Sequence, residues 1–158
     1  MAEIALIRVD FRLVHGQVVV KWSKVAKVSK IIVINDVIAK DKTLKSVYKM
    51  AAPAGVKVLC YSFEKAMEKY KESRFGDGRV MVMFKDINDC YRAFKAGFDM
   101  PKLQLGNAPR GADKKPLSNE VYATGKEIEL LKEMAKAGVD IVIHTIPEAA
   151  GVSFRKLI

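Results

Sequence analysis

Short apolar, β-branched runs alternate with amphipathic runs of helix length along most of this chain. Ile4–Val9 predicts a first strand, with a helix over Gln17–Lys27 after it. Lys30–Ile34 predicts a second strand, and Val37–Ala51 a helix stopped by Pro53 and Gly55. Lys57–Tyr61 reads as a third strand. Ser62 suits the N-cap of a helix over Phe63–Glu72, with Lys65 where a capping-box acid would stand. The "GDG" at Gly76–Gly78 marks a turn. Arg79–Phe84 then predicts a fourth strand, and Ile87–Ala96 a helix closed by Gly97. Lys102–Leu105 predicts a fifth strand.

Beyond it the alternation breaks. Asn107–Ala123 contains Pro109, Gly111 and Pro116, which predicts a loop or hairpin with a short sixth strand near Val121–Ala123. In Lys126–Ala137, Ile128, Leu131, Met134 and Ala135 recur at helical spacing, and Gly138 ends the helix. Val139–His144 predicts the last strand. Continuous apolar strands between helices imply a single α/β domain over residues 1–158. Its central sheet would be mostly parallel, with helices on both faces. Right-handed crossovers place the strand-to-helix loops at the carboxyl ends of the strands, the edge where open α/β sheets bind ligands.

One loop on that edge is rich in chemistry. In "IRVDFRLVHGQVVVKW", residues 7–22, Arg8, Asp10, Arg12 and His15 crowd the exit of the first strand. Gly16 opens the helix, whose first N–H groups attract anions. Imidazole at neutral pH serves as nucleophile or base. Two arginines disfavour the imidazolium form, so the set suits an anion better than a proton. Guanidinium groups bind phosphoryl oxygens in bidentate fashion. Asp10 either receives the second ring N–H of His15 or orients an arginine. Such a loop meets the needs of a transient phosphohistidine. The plain alternative is that Arg8 and Arg12 are ordinary loop charges and His15 a helix-entry residue.

Composition narrows the field. Half of the 158 residues are apolar, as in globular proteins generally. The N-terminus shows no secretory signal, and no apolar run approaches the ~20 residues that span a bilayer. Cys60 and Cys90 lie far apart without CxxC spacing, so buried free thiols in a reducing cytoplasm are expected. No metal-ligand spacing and no cofactor fingerprint is present, and none is expected to be bound. The formal charge of +10 favours acidic partners. Lys21, Lys24, Lys27 and Lys30 recur at spacing three and offer one basic helix face. No arginine-rich block or aromatic RNA-binding motif accompanies them, so nucleic acid is not expected as a partner.

"RVDFRLVHGQVVVKW" resembles the R-[IV]-D-x-R-L-[IL]-H-G-Q-V…W signature of the sorbose/mannose-type IIB components of the bacterial sugar phosphotransferase system. "IIVINDVIAKD", "APAGVKV", "RVMVMFKD" and "LQLGN" are similar to later parts of that family, so the likeness covers nearly the whole chain. The resemblance implies a seven-stranded sheet with the first strand between the fourth and fifth. It implies that His15 takes a phosphoryl group, on Nδ1, from a IIA protein. His15 would pass it to a sugar held by the membrane components IIC and IID, at the inner face of the plasma membrane. Arg12 carries over as the phosphate partner. Arg8, Asp10, Gly16 and Gln17 carry over as loop-shaping and supporting residues. The implied strand order puts Lys85 on one side of His15 and Gly106 and Asn107 on the other. Lys85 is then a phosphate contact or a solvated residue before an Asp86 helix cap. Phe11 stands where the family commonly has a polar residue, either touching a partner or packing in the loop. The "GN" at Gly106–Asn107 is similar to the amino-sugar branch and points toward N-acetylgalactosamine or a related sugar. In this order His144 ends a strand remote from the first and is a satisfied structural histidine. Two other functions compete: a IIB-like regulator that no longer feeds a transporter, and a basic nucleic-acid-binding α/β module.

Overall fold

A computed structural model describes all residues, Met1–Ile158. Nine strands and six α-helices follow one another as β1 (Glu3–Asp10), α1 (Gly16–Ala26), β2 (Lys30–Ile34), α2 (Asp36–Lys40), α3 (Lys42–Met50), β3 (Lys57–Tyr61), α4 (Phe63–Ser73), β4 (Arg79–Phe84), α5 (Ile87–Lys95), β5 (Lys102–Asn107), β6 (Lys114–Pro116), β7 (Tyr122–Thr124), α6 (Gly125–Lys136), β8 (Asp140–Ile143) and β9 (Val152–Ser153). Seven of the strands form the central sheet, in the order β3-β2-β4-β1-β5-β8-β9. All its pairings are parallel except β8 with the short β9. The first strand therefore lies between the fourth and fifth, with Val9 level with Phe84 on one side and Leu105 on the other.

Alternation along each strand divides the core into two layers. Ile7, Val9, Ile32, Ile34, Val82 and Phe84 pack under α4, α5 and α6 in the larger cluster. Ile31, Val33, Met81 and Met83 pack on the opposite face with Leu13, Val19 and Trp22. On β1 the residues that alternate with Ile7 and Val9 are Arg8 and Asp10, which are 1% and 2% exposed. A charged pair thus occupies core positions on the α1 side of the sheet.

Three elements depart from the sequence pattern. The helix expected over Val37–Ala51 is two helices. Asp41 is extended (φ −109°, ψ 105°) and its carboxylate caps the second helix by accepting from Leu44 N. Asn35 caps the first in the same way, through Ile38 N. The strand expected near Val121–Ala123 lies outside the central sheet, where β7 pairs antiparallel with β6. The seventh place in the sheet is taken instead by β9, too short to show a period. Elsewhere the ends move by a few residues, as at α1, where Lys27 takes a left-handed conformation (φ 54°) and closes the helix. Cys60 and Cys90 are free and buried. Burial pushes both thiols above the usual range, which leaves them weakly nucleophilic. No helix is long and apolar enough to cross a membrane.

Candidate active site

The β1–α1 loop is built on Arg8. Its guanidinium reaches across the sheet: Nη1 donates to Gln104 Oε1 on β5 and to the His144 carbonyl at 2.9 Å. Nη2 donates to Asp10 Oδ2 at 3.1 Å and to the Thr145 carbonyl at 3.0 Å. The group also stacks 5.5 Å from the centre of the Trp22 ring. Burial lowers the Arg8 pKa and the Asp10 carboxylate opposes the shift. A guanidinium keeps its charge even so, and a buried charge must be paired. Trp22 Nε1 donates to the same Thr145 carbonyl at 2.9 Å, so α1 is pinned to the loop after β8.

This arrangement corrects one expectation. His144 is not remote from β1: its carbonyl is held by Arg8, and its ring meets Trp22 edge-on at 4.8 Å. Its Nε2 lies 2.7 Å from the Ala149 carbonyl, so it is a satisfied structural histidine. Arg8 has the loop-shaping position that the resemblance implied. Its four terminal N–H bonds point inward, and it supports the loop from beneath.

Gly106 follows from Arg8. A Cβ placed at Gly106 would stand 2.1–2.6 Å from the three terminal atoms of the Arg8 guanidinium. Only glycine leaves room for it, so the packing of Arg8 by itself requires this residue. The glycine of the "GN" pair is thereby accounted for without reference to any sugar. Asn107 serves the loop through its backbone, its carbonyl accepting from Phe11 N at 3.0 Å.

Asp10 translates the buried arginine into loop shape. With Oδ2 on Arg8, its Oδ1 accepts from Arg12 N at 2.9 Å and lies 3.5 Å from Arg12 Nε. Its carbonyl accepts from Leu13 N at 2.9 Å. Of the two roles open to Asp10, the structure shows the arginine-orienting one. The tight turn puts Leu13 at φ 57°, a costly conformation held by burial of its side chain to 1% exposure. Val14 is buried beside it, and the chain then surfaces at His15.

His15 is the N-cap residue of α1, extended (φ −146°, ψ 121°), and its side chain makes no capping bond. Gly16 follows with φ +54°, and a Cβ there would meet nothing within 4 Å, so the requirement is conformational, not spatial. His15, Gly16 and Gln17 are all exposed. The 11-residue helix thus starts directly after His15, its first N–H groups without helical partners and with no acidic side chain in the first turn. Arg12 is anchored at one end and open at the other. Its Nε is buried and makes no hydrogen bond, with only the Asp10 carboxylate near it, while the side chain keeps 35% exposure.

Lys85 comes from the neighbouring loop after β4. Its Nζ lies 4.8 Å from the centre of the Phe11 ring, and Phe11 is 44% exposed. Asp86 does cap α5, accepting from Asp89 N at 2.8 Å. Lys85 is therefore held at the loop by the ring of Phe11, which the sequence left as either a partner contact or loop packing. Lys21, one turn into α1, pairs with Glu148. The residues that sequence reasoning missed are Gln104, Trp22 and Thr145. The need of a buried arginine for acceptors is the signal for Gln104 and Thr145, and its need for a flat aromatic face the signal for Trp22.

An exposed imidazole, an anchored arginine and a bare helix N-terminus at the carboxyl edge of a parallel sheet define an anion-handling α/β protein. Comparison with known proteins gives the family. The family model described as "PTS system sorbose subfamily IIB component" matches residues 4–158, and the chain belongs to that family. The sorbose-specific EIIB component of Klebsiella pneumoniae is 32% identical over 96% of this chain and 92% of that protein. The solved IIBSor domain of the sorbose permease from the same organism superposes with TM-score 0.90 at 31% identity, covering 98% of this chain and 94% of that one. The manxB structure from Thermoanaerobacter tengcongensis gives TM-score 0.93 at 30% identity, over 99% and 95%. The protein is a phosphotransferase of the IIB class, a phosphocarrier in sugar uptake.

Proposed function

We propose that His15 is the residue that carries the phosphoryl group. It would take it from the phosphohistidine of a IIA protein and yield it to a sugar held by membrane components IIC and IID, on the cytoplasmic side. One observation carries the assignment. His15 is the histidine that is exposed at the ligand-binding edge with its side chain uncommitted, whereas the second histidine is bonded into the fold. In the first step the neutral imidazole attacks phosphorus, a new N–P bond forms, and the N–P bond to the donor breaks in line with it. The donor imidazole leaves with the electron pair of that bond. The second step repeats this with a sugar hydroxyl as nucleophile, its proton released as the sugar phosphate forms. Arg12 and the N–H groups of Gly16, Gln17 and Val18 face the charge on the equatorial oxygens, with Lys85 as a further cation. Asp10 and Arg8 hold Arg12 in place before the donor arrives.

The sugar follows from sorbose- or mannose-type relatives only as a hexose class. The E. coli K12 relative at 30% identity is a mannose-specific EIIAB component, of which this chain spans 44%. The experiment is transfer from a phosphorylated mannose-type IIA, itself charged by Enzyme I and HPr, read by intact mass. One phosphoryl group labile to acid and stable to alkali is the expected gain. No gain from the cognate IIA would favour the regulatory relative instead.

A further inference from the structure

A second concentration of positive charge lies at the far end of the sheet. β3 is the outermost strand and pairs only with β2. Along its free edge runs a cavity of about 490 Å³ into which Lys40, Lys45, Lys49 and Lys65 all project, over Cys60 and Ser62. None of Lys40, Lys45 and Lys49 makes an ion pair, and Lys65 has only exposed Glu68 at 3.6 Å.

Lysines often guard a free strand edge against pairing with other chains. Such guards sit on the strand itself. Here the four come from three helices, α2, α3 and α4, and meet over one stretch of strand. Lys45 and Lys49 are like charges at spacing four on α3, a pairing that costs helix stability unless an anion relieves it. Both line the same cavity as Cys60. The backbone adds a donor. Lys57 N and Tyr61 O both bond toward the β2 side. By the alternation of a parallel strand, the Cys60 N–H and C=O both turn outward at this free edge, and the N–H is a donor that the ammonium groups do not compete for. Ammonium groups and a backbone N–H around a concave space of ligand size suit clustered phosphates.

We propose that this cavity binds a small soluble ligand carrying two or more phosphate groups, at a site separate from His15 and independent of its role. The probe is inorganic tripolyphosphate, titrated at low salt into isotope-labelled protein and followed by amide NMR. Shifts are expected along Lys40–Lys49 and Leu59–Lys65. The double variant Lys45→Gln/Lys49→Gln should weaken binding at least about tenfold. Lys132→Gln/Lys136→Gln on α6 removes the same net charge and should stay within about twofold. Both variants alter exposed or half-exposed helix positions, and their spectra report whether the fold is kept. Equal weakening in the two variants would make the attraction diffuse and overturn the site. Shifts confined to residues 8–17 would assign the phosphates to the His15 loop. Binding to anionic vesicles without binding to tripolyphosphate would replace the ligand site with a membrane contact.

Discussion

Replacing Gly106 by alanine is the sharpest way to ask whether the buried arginine organises the loop. The added Cβ would overlap the Arg8 guanidinium at 2.1–2.6 Å, where even a shift of a few tenths of an ångström does not suffice. The obstacle is not the loose end of a flexible chain. Arg8 is 1% exposed and its terminal nitrogens donate to Gln104, Asp10, His144 and Thr145. Moving it sacrifices about two of those bonds, each worth roughly 1.5–3 kcal/mol because the donor is charged. The expected loss is about 3–6 kcal/mol, a large part of the ~5–15 kcal/mol that holds a domain together. In a chain of this length that lowers Tm by roughly 10 °C. Differential scanning calorimetry and urea unfolding measure it. Gly125→Ala is the control, since nothing lies within 4 Å of its Cβ and it opens α6. It should leave stability unchanged or raise it by ~0.5 kcal/mol. If Gly106→Ala melted with the control, Arg8 would be free to move and its organising role would be refuted.

Asp10→Asn keeps the shape but removes the carboxylate shared by Arg8 and Arg12, leaving a buried guanidinium short of its counter-charge. Urea unfolding should show a loss of about 3–5 kcal/mol; a change below ~1 kcal/mol would mean that the carbonyls of His144 and Thr145 suffice alone. Arg12→Ala should leave Tm nearly unchanged but slow transfer from phospho-IIA by the equivalent of about 2–4 kcal/mol, read in rapid-quench kinetics; an unaltered rate would remove Arg12 from the phosphate. Burial, then Asp86 and Asp36, push the Asp89 carboxyl up to about 6. Its folded pKa exceeds its unfolded one, so Asp89 destabilises the fold as pH rises from about 4 through 6. Asp89→Asn should gain about 1 kcal/mol at pH 7.5, after allowing for solvent screening, and nothing at pH 4, as melting at the two values checks. The formal charge of +10 predicts that donor-to-protein transfer slows as ionic strength rises, whereas a rate indifferent to salt would exclude electrostatic steering.

That the sheet is mostly parallel was legible because its inner strands are continuously apolar, as in "RVMVMF" of β4, and because helices of the right length separate them, whereas the place of β1 between β4 and β5 was implied only by the family resemblance. Less legible was the split at Asp41, where one capping carboxylate breaks a pattern whose apolar period runs straight through. β9 was invisible for a simpler reason: two residues carry no period. At the site, spacing alone grouped Arg8, Asp10, Arg12 and His15, and only the family resemblance gave them separate roles. Burial separates them into two that lie inside the sheet, one anchored at its surface and one uncommitted. The link from Arg8 to Gly106 and to the carbonyls after β8 crosses roughly a hundred residues or more of chain. No local spacing rule reaches that far. Lys85 over Phe11 shows the same limit, since only the strand order brings their loops together.

The central claim, that His15 carries the phosphoryl group, is tested most directly by peptide mapping after transfer from phospho-IIA. The chain has only two histidines, so the outcome is discrete. The group is expected on His15 and is expected to be lost in His15→Ala with melting unchanged, because that side chain makes no capping bond and is exposed. A phosphoryl group on His144, or one still gained by His15→Ala, would contradict it.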